Sequence, residues 1–281
     1  MLLQGEKEDY FMFKRTKTDC FLPFAIRSFF IIYSSVIMTA HASYADQAKI
    51  THPSNQGNLN WFHPFFTLSG GLAVAKTGHA QTLNMDGDFT TYQYTPRHDY
   101  SNRMLWGGSI GTEVPINLLW SLQLGISYYR PNNFSSNGIL IQGIDEQSAD
   151  EFSYNYKIKS SQLFFEGKLL HTVKTIFHPY VSIGLGAAFN QASNYQTSVP
   201  PFLTFTPEFE DHKTTNFAYS LGLGIDMDLC KNWRLGVGYR YVGLGKANLD
   251  EGMLDVIPFT STLTLPHLDM QEAIVQISYL I

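Results

Sequence analysis

Residues 216–247 read NFAYSLGLGIDMDLCKNWRLGVGYRYVGLGKA, two alternating runs joined by a short polar turn at 231–232. Alternation of large apolar residues with small or charged residues predicts two β-strands, and the short turn predicts an antiparallel hairpin. One face carries the large residues Phe217, Tyr219, Leu221, Leu223, Ile225, Met227, Leu229, Trp233, Leu235, Val237, Tyr239 and Tyr241. The other face carries Ala218, Ser220, Gly222, Gly224, Asp226, Asp228, Arg234, Gly236, Gly238 and Arg240.

The small face of this hairpin does not suit contact with bulk water, because Thr would serve a water-facing strand better than Gly. Small residues with a few charges suit a narrow, enclosed lumen. A continuous apolar face with aromatic ends suits lipid. The hairpin therefore predicts an all-β, closed antiparallel transmembrane β-barrel. A soluble, lipocalin-like barrel is the alternative, and the Gly-rich polar face disfavours it.

The composition of the 281 residues agrees with a barrel. Hydrophobic residues make up 44% and aromatic residues 15%, while the charged fraction of 15% lies well below the roughly 25% of a typical soluble domain. After the N-terminal segment no uninterrupted apolar run reaches the roughly 20 residues of a transmembrane helix. The formal net charge of -5 gives no sign of nucleic-acid binding.

The N-terminal 45 residues are predicted to be a cleaved signal peptide. A basic region precedes the short apolar core 28–38, and small-x-small cleavage sites end at Ala42 and Ala45. We favour cleavage after Ala45, with Ala42 as the alternative and Met12 as a candidate start. A membrane anchor is the competing interpretation, which the short core disfavours. Residues 46–60 are predicted to form a periplasmic tail, and 61–281 the barrel.

About eight strands are predicted within residues 61–281. They are 61–76, 103–115, 120–130, 156–170, 179–189, the two strands of the 216–247 hairpin, and 267–281. Four long polar loops at 77–100, 131–155, 190–215 and 248–266 alternate with short turns. In outer-membrane barrels long loops face the cell exterior and short turns face the periplasm. Ten strands is the alternative, if 260–265 pairs with part of another loop.

Three segments resemble the OmpA-like small outer-membrane β-barrel family. HPYVSIGLGA at 178–187 resembles its P-Y-x-G-x-G-x-G strand, and WRLGVGYRY at 233–241 resembles its penultimate Y-R-Y strand. The last strand resembles the family's C-terminal assembly signal, although it ends in Ile281 where the family has Phe. We expect the barrel domain only, without the peptidoglycan-binding domain that some members carry.

The resemblance implies a location and a set of partners. The location is the outer membrane of a Gram-negative bacterium. The implied partners are outer-membrane lipid, lipopolysaccharide, the outer-membrane assembly machinery and a host or surface ligand.

Charged residues in the inward-facing register predict a network inside the lumen. They are Glu113, Glu166, Lys168, Asp226, Asp228, Arg234, Arg240 and Glu272. Hairpin register places Asp228 opposite Arg234 and Arg240 opposite Gly222. Arg240 and Glu272 lie at similar heights on neighbouring strands, so we expect a bidentate ion pair that closes the lumen.

Two groups of apolar and aromatic residues are expected at the surface. Phe202, Leu203 and Phe205 lie between prolines in the third loop and predict a contact patch, with packing on a neighbouring loop as the alternative. Aromatic girdles at the bilayer edges are predicted from Trp61, Trp120, Trp233, Tyr128 and Tyr129.

We predict no catalytic site, no cofactor and no metal site. His98 with Asp99, and His267 with Asp269, could orient an imidazole, but neither pair is embedded in a nucleophile motif. Asp86 and Asp88 flank a glycine, yet the rest of a calcium-loop pattern is missing.

The sequence therefore predicts an outer-membrane barrel with a structural and surface-interaction role, adhesin-like, carried by its loops. A narrow channel is the second hypothesis, and a lipid-modifying enzyme is the third.

Overall fold

The computed structural model describes residues 62–84, 89–144, 149–200, 205–255, 257–259 and 261–281. The predicted signal peptide, the tail at 46–60 and Trp61 lie outside these ranges, so their assignments stay predictions. Within the described ranges no helix is long and apolar enough to cross a membrane.

The described chain forms sixteen β-strands of very unequal length. They are β1 His63–Lys76, β2 Gln81–Asn84, β3 Thr91–Pro96, β4 Tyr100–Pro115, β5 Trp120–Pro131, β6 Phe134–Gly143, β7 Asp150–His171, β8 Phe177–Ser198, β9 Glu208–Phe209, β10 His212–Asp228, β11 Trp233–Gly243, β12 Ala247–Asn248, β13 Gly252–Leu254, β14 Ile257–Phe259, β15 Thr264–Leu265 and β16 Asp269–Leu280.

Eight of these strands close into a ring. The order is β7-β5-β4-β1-β16-β11-β10-β8, and β8 pairs back onto β7. Every pairing in the ring is antiparallel, and closure joins the first strand to the last, with Phe65 opposite Leu280. The prediction of an eight-stranded antiparallel barrel is therefore confirmed. Thr264 and Leu265 pair with β12 outside the ring, so the ten-strand alternative is wrong.

The short turns lie together at one end of the barrel. The chain reverses direction at every connection between ring strands, so every second connection lies at the same end. They span residues 116–119, 172–176 and 229–232. In the first, Ile116 N–H donates to Trp120 O at 2.9 Å, and in the last Leu229 N–H donates to Trp233 O at 2.9 Å. The middle turn places Lys174 and Thr175 in the left-handed region, with φ of 50° and 61°. This end is the periplasmic end.

The four long connections lie at the other end, and much of their described part is β-structure. β7 and β8 are 22 residues each, about twice the 9–11 residues that a strand needs to cross a membrane. Their excess length continues the sheet beyond the bilayer, where β6 pairs with β7, β3 with β6 and β2 with β3. We call this part, with β9 and β12–β15, the outer extension.

The two faces of the ring strands divide as predicted. On β10 and β11 the large residues point outward and are exposed, such as Leu223 at 61%, while Arg240 on the inner face is 1% exposed. Trp120 and Trp233 lie on the outer face, as the girdle prediction requires, and so does Tyr128. Tyr129 is an exception: it points inward and is 3% exposed, because it alternates with Tyr128, so its assignment to the girdle is wrong.

The orientation of the barrel can be tested with epitope tags. An external tag should not interrupt a strand, which excludes positions within β6 and β8 such as 137–138 and 193. We place it after Ile144, whose side chain is 71% exposed. We expect antibody to label this tag on intact cells. A tag between Lys231 and Asn232 should react only after permeabilisation. The reverse pattern of labelling would contradict the orientation.

Candidate functional site

The strongest cluster of chemically active side chains lies inside the barrel. Each of its members occupies an inward position on a ring strand, and alternation fixes that position once the register is set. Glu272 is fully buried and Arg240 nearly so. The register pairs Arg240 with Glu272 on one side and with Gly222 on the other, as the sequence predicts.

Arg240 and Glu272 form the centre of the upper lumen layer. Arg240 donates from Nη2 to Glu272 Oε2 at 2.8 Å and from Nε to the same oxygen at 3.1 Å. Both hydrogen bonds end on one carboxylate oxygen, so the predicted bidentate pair, in which each oxygen of Glu272 would accept from Arg240, is not formed. Gln162 explains the difference, because its Nε2 donates to Glu272 Oε1 at 2.9 Å while its Oε1 accepts from Arg240 Nη2 at 3.1 Å.

The Arg240 guanidinium also lies between a ring and a second carboxylate. Its central carbon is 3.7 Å from the centroid of the Tyr129 ring, a cation–π distance. Its Nη1 is 3.8 Å from Glu166 Oε2 and has no direct hydrogen-bond partner among the described residues. Gly222 leaves space for the side chain, since a Cβ there would lie 3.0 Å from Arg240 Cγ.

A small cavity of about 30 Å³ lies directly below this layer, and Tyr129 and Glu166 contribute to its wall. Such a space accommodates roughly one or two water molecules, which need about 10–15 Å³ each. The cavity separates layers of paired charge and is far too small to serve as a passage for solutes.

Two further ion-pair layers lie toward the periplasmic end. In the middle, Lys168 Nζ contacts Asp226 Oδ2 at 2.6 Å, and Gln276 Nε2 donates to the other Asp226 oxygen at 2.8 Å. Lys168 also lies 3.8 Å from the centroid of the Tyr180 ring.

In the lowest layer Arg234 bridges two carboxylates. Its Nε donates to Asp228 Oδ1 at 2.7 Å and its Nη1 to Glu113 Oε2 at 2.8 Å. All eight charged residues predicted for the lumen thus lie within these three layers.

Sequence reasoning missed the uncharged members of the network. Gln162, Gln123 and Gln276 are buried in the lumen. Gln162 links Glu272 to Arg240, while Gln123 donates to Glu113 and Gln276 to Asp226. His178 belongs to the same group, because its Nε2 lies 2.9 Å from Asp228 Oδ2. Their inward register was visible in the sequence. Uncharged side chains give no sign in the sequence that they take part in a network of charges.

The outer extension has a core of tyrosines that belongs to the same hydrophobic cluster as Tyr129 and Phe164 of the lumen. The rings of Tyr94 and Tyr195 contact Phe209, and the Tyr195 and Phe209 rings lie 5.0 Å apart and edge to face. Tyr154 contacts Tyr94 and Tyr195. Burial raises the pKa of the Tyr94 phenol well above its ordinary value, because an ionised phenolate would be desolvated there. The neutral phenols hydrogen-bond to each other, because Tyr195 OH donates to Tyr94 OH at 3.3 Å.

A cleft of about 760 Å³ opens beside this core. Phe205, Met253 and Asp255 line it together with Tyr195 and Glu208. The side chain of Phe205 is 64% exposed and that of Met253 45% exposed. Phe205 is thus the part of the predicted contact patch that the structure places at the surface. Phe202 and Leu203 lie outside the described residues.

The histidines considered for catalysis lie in different connections. His98 is exposed between β3 and β4, and His267 is exposed just before β16. Asp86 and Asp88 lie outside the described residues. Within the described chain, no group of three or more metal-ligating side chains is placed to hold an ion.

A protein-family comparison matches residues 36–260 to the outer membrane protein beta-barrel domain. A comparison with curated proteins found no match. Three similar solved structures are outer-membrane proteins. OprG from Pseudomonas aeruginosa is 13% identical, with 77% of this chain and 95% of OprG covered and a TM-score of 0.42.

The attachment invasion locus protein Ail of Yersinia pestis is 12% identical to this chain. The match covers 77% of this chain and 98% of Ail, with a TM-score of 0.35. The outer membrane protease OmpT from Escherichia coli is 6% identical, with coverage of 78% and 97% and a TM-score of 0.43. Identities this low carry no information about activity.

The upper layer makes a stability prediction. Arg240→Met or Glu272→Gln should each lower the free energy of unfolding by about 3–5 kcal/mol. The first leaves the buried Glu272 carboxylate without a cation, and the second leaves Arg240 with only Glu166, 3.8 Å away. The double variant should lose much less than the sum of the two single variants. Urea unfolding in lipid vesicles measures these differences.

Glu166→Gln is the matched control, since Glu166 lies 3.8 Å from Arg240 and also accepts from Ser127 at 2.7 Å. We expect a smaller loss for this variant. Strict additivity of the Arg240 and Glu272 single effects would show that the two residues are not coupled.

Proposed function

The chain belongs to the outer membrane protein beta-barrel domain family, and we propose that it acts as a closed barrel whose outer extension contacts surfaces outside the cell. Membership of the family locates the chain in the outer membrane as an integral protein. The proposal concerns what the chain does there. Its basis is the contrast between a lumen closed by ion pairs and an extension that carries an exposed cleft.

The side chains in the lumen support a closed barrel over a channel. Eight strands enclose an interior just wide enough for side chains to fill. Here that interior holds three layers of paired charges, and the Arg240–Glu272 layer is almost completely shielded from solvent. A solute would have to separate a buried ion pair to pass, which costs several kcal/mol.

The outer extension supports a role in surface contact. Its tyrosine core holds the strands together, so the exposed residues beside it are presented on a rigid support. Phe205, Met253 and Ile257 are large apolar side chains that remain 45–64% exposed beside or near the cleft. Exposed apolar groups clustered at one place favour an interaction site.

The remaining parts of the proposal concern partners and chemistry. We propose lipid, lipopolysaccharide and the outer-membrane assembly machinery as the partners of the barrel. A host or surface ligand is the proposed partner of the outer extension. We propose no enzymatic role, and Ala substitution of His98 and His267 should leave the lipid A profile of cells unchanged.

Adherence of bacteria tests the proposal. A non-adherent host strain that displays the protein should bind cultured host cells severalfold better than the same strain with an empty vector. Replacing Phe205, Met253 and Ile257 by Ser should remove most of this gain. Leu223→Ser, on the lipid-facing wall, is the control that should keep adherence if the protein is assembled.

Conductance separates this role from that of a channel. The wild-type protein in planar bilayers should show no steady open level, because three layers of paired charge close its lumen. A wild-type protein that conducts steadily and confers no adherence would contradict the proposal.

A further inference from the structure

A groove interrupts the apolar outer wall of the barrel near its periplasmic end. Its volume is about 590 Å³, within the range of roughly 300–1,000 Å³ typical of small-molecule sites. The side chains around it include Leu122, Leu124, Phe165, Leu169, Val181 and Ile183. Gly167 lies at its centre, so we call it the Gly167 groove.

Gly167 creates this groove by the absence of a side chain. It faces outward on β7, between Phe165 and Leu169, and the register places Leu124 on one side and Ile183 on the other. Every neighbour on the outer face is large, so one missing side chain leaves a depression that the surrounding residues wall in.

The backbone does not require glycine at position 167. A Cβ added there would have Leu124 Cδ2 as its nearest contact, at an ordinary van der Waals distance of 3.5 Å. At Gly186 on β8, by contrast, a Cβ would collide with the carbonyl oxygen of Leu163. Glycine weakens the interior of a strand and often marks a place where a ligand approaches closely.

The position of the groove identifies its occupant. Leu122 and Leu169 lie two residues from the periplasmic ends of β5 and β7, so the groove begins in the periplasmic leaflet of the membrane. Leu185 and Leu221 extend it toward the middle of the membrane. The wall is almost entirely apolar, and the surroundings at this depth are hydrocarbon chains. An acyl chain of a phospholipid fits both conditions.

A basic rim lies at the periplasmic end of the same strands. The turn 172–176 joins β7 to β8 and carries Lys174, which is exposed. Asp228, whose N–H donates to Ile176 O of this turn, directs its carboxylate inward to Arg234. The ring centroids of Trp120 and His171 lie 4.5 Å apart, and this aromatic pair lies at the periplasmic edge of the membrane. A cationic side chain at this level attracts anionic headgroups.

We propose that the Gly167 groove binds one acyl chain of an anionic phospholipid of the periplasmic leaflet, with its phosphate near Lys174. This site is separate from the outer extension and does not depend on the proposed role of that extension. Gly167 sets the fit of the chain, and Lys174 selects the headgroup.

Native mass spectrometry of the purified full chain tests the site. The protein is titrated with phosphatidylglycerol or phosphatidylethanolamine at a detergent concentration that strips loosely held lipid. The wild-type protein should retain one phosphatidylglycerol, and Gly167→Leu should lower that retention severalfold by filling the groove. Lys174→Gln should keep lipid binding but lose the preference for phosphatidylglycerol.

Gly70→Leu is the matched control. Gly70 also faces outward, and a Cβ there would meet only Leu105 O at 3.9 Å, but Gly70 does not line the groove. It should retain lipid as the wild type does. Heat-modifiable migration verifies folding, and Gly167→Ala, with a smaller expected loss, replaces Gly167→Leu if the latter does not fold.

Equal retention by the wild type, Gly167→Leu and Gly70→Leu would overturn the proposal. So would chemical cross-linking that reveals a wild-type dimer abolished by Gly167→Leu without loss of lipid, because the groove would then be a contact between two copies.

Discussion

The need to satisfy every backbone hydrogen bond inside a membrane determines this structure. Hydrocarbon offers no partner to a free N–H or C=O, so a sheet in the bilayer must have no open edge. The pairing of β1 with β16 removes the last edge and joins the two ends of the chain's barrel segment. All other features of the ring follow from this closure.

Closure of eight strands forces the inner face into a narrow space, and that space explains the charged layers. A charge inside it is expensive unless a partner is within hydrogen-bond distance. Glycines opposite the long side chains provide the volume, as Gly222 does for Arg240. Glutamines then form hydrogen bonds with donors and acceptors that the ion pairs do not use. Gln162 does so with both Arg240 and Glu272. The result is a polar interior in which each of the eight charged side chains lies within ion-pair distance of an opposite charge.

The two ends of the barrel are built on different physical terms. At the periplasmic end the turns are short, and the outer wall meets lipid up to the last strand residues. At the other end β7 and β8 continue past the bilayer and build a core of tyrosines that excludes water. The first environment suits recognition of lipid by shape, and the second suits recognition of a ligand by an exposed cleft. On our two proposals, one chain would hold a membrane lipid and a surface partner at separate sites.

The sequence by itself determined the barrel, its strand number and the inward charges, because alternation with a period of two is written residue by residue in segments such as 216–247. It also determined the pairing of Asp228 with Arg234, since a tight hairpin fixes register locally. Only the tertiary structure decided contacts across the lumen. Tyr129 stacks on Arg240, and Gln162 binds one oxygen of Glu272 while Arg240 binds the other. These contacts form because strand order and stagger bring β5, β7, β11 and β16 to one level. The outer extension and the Gly167 groove also needed the structure. The connections carry short alternating runs, such as Tyr92 and Tyr94 or Phe152, Tyr154 and Tyr156, but alternation alone does not say which strand pairs with which. A depression in the outer wall depends on residues from four strands.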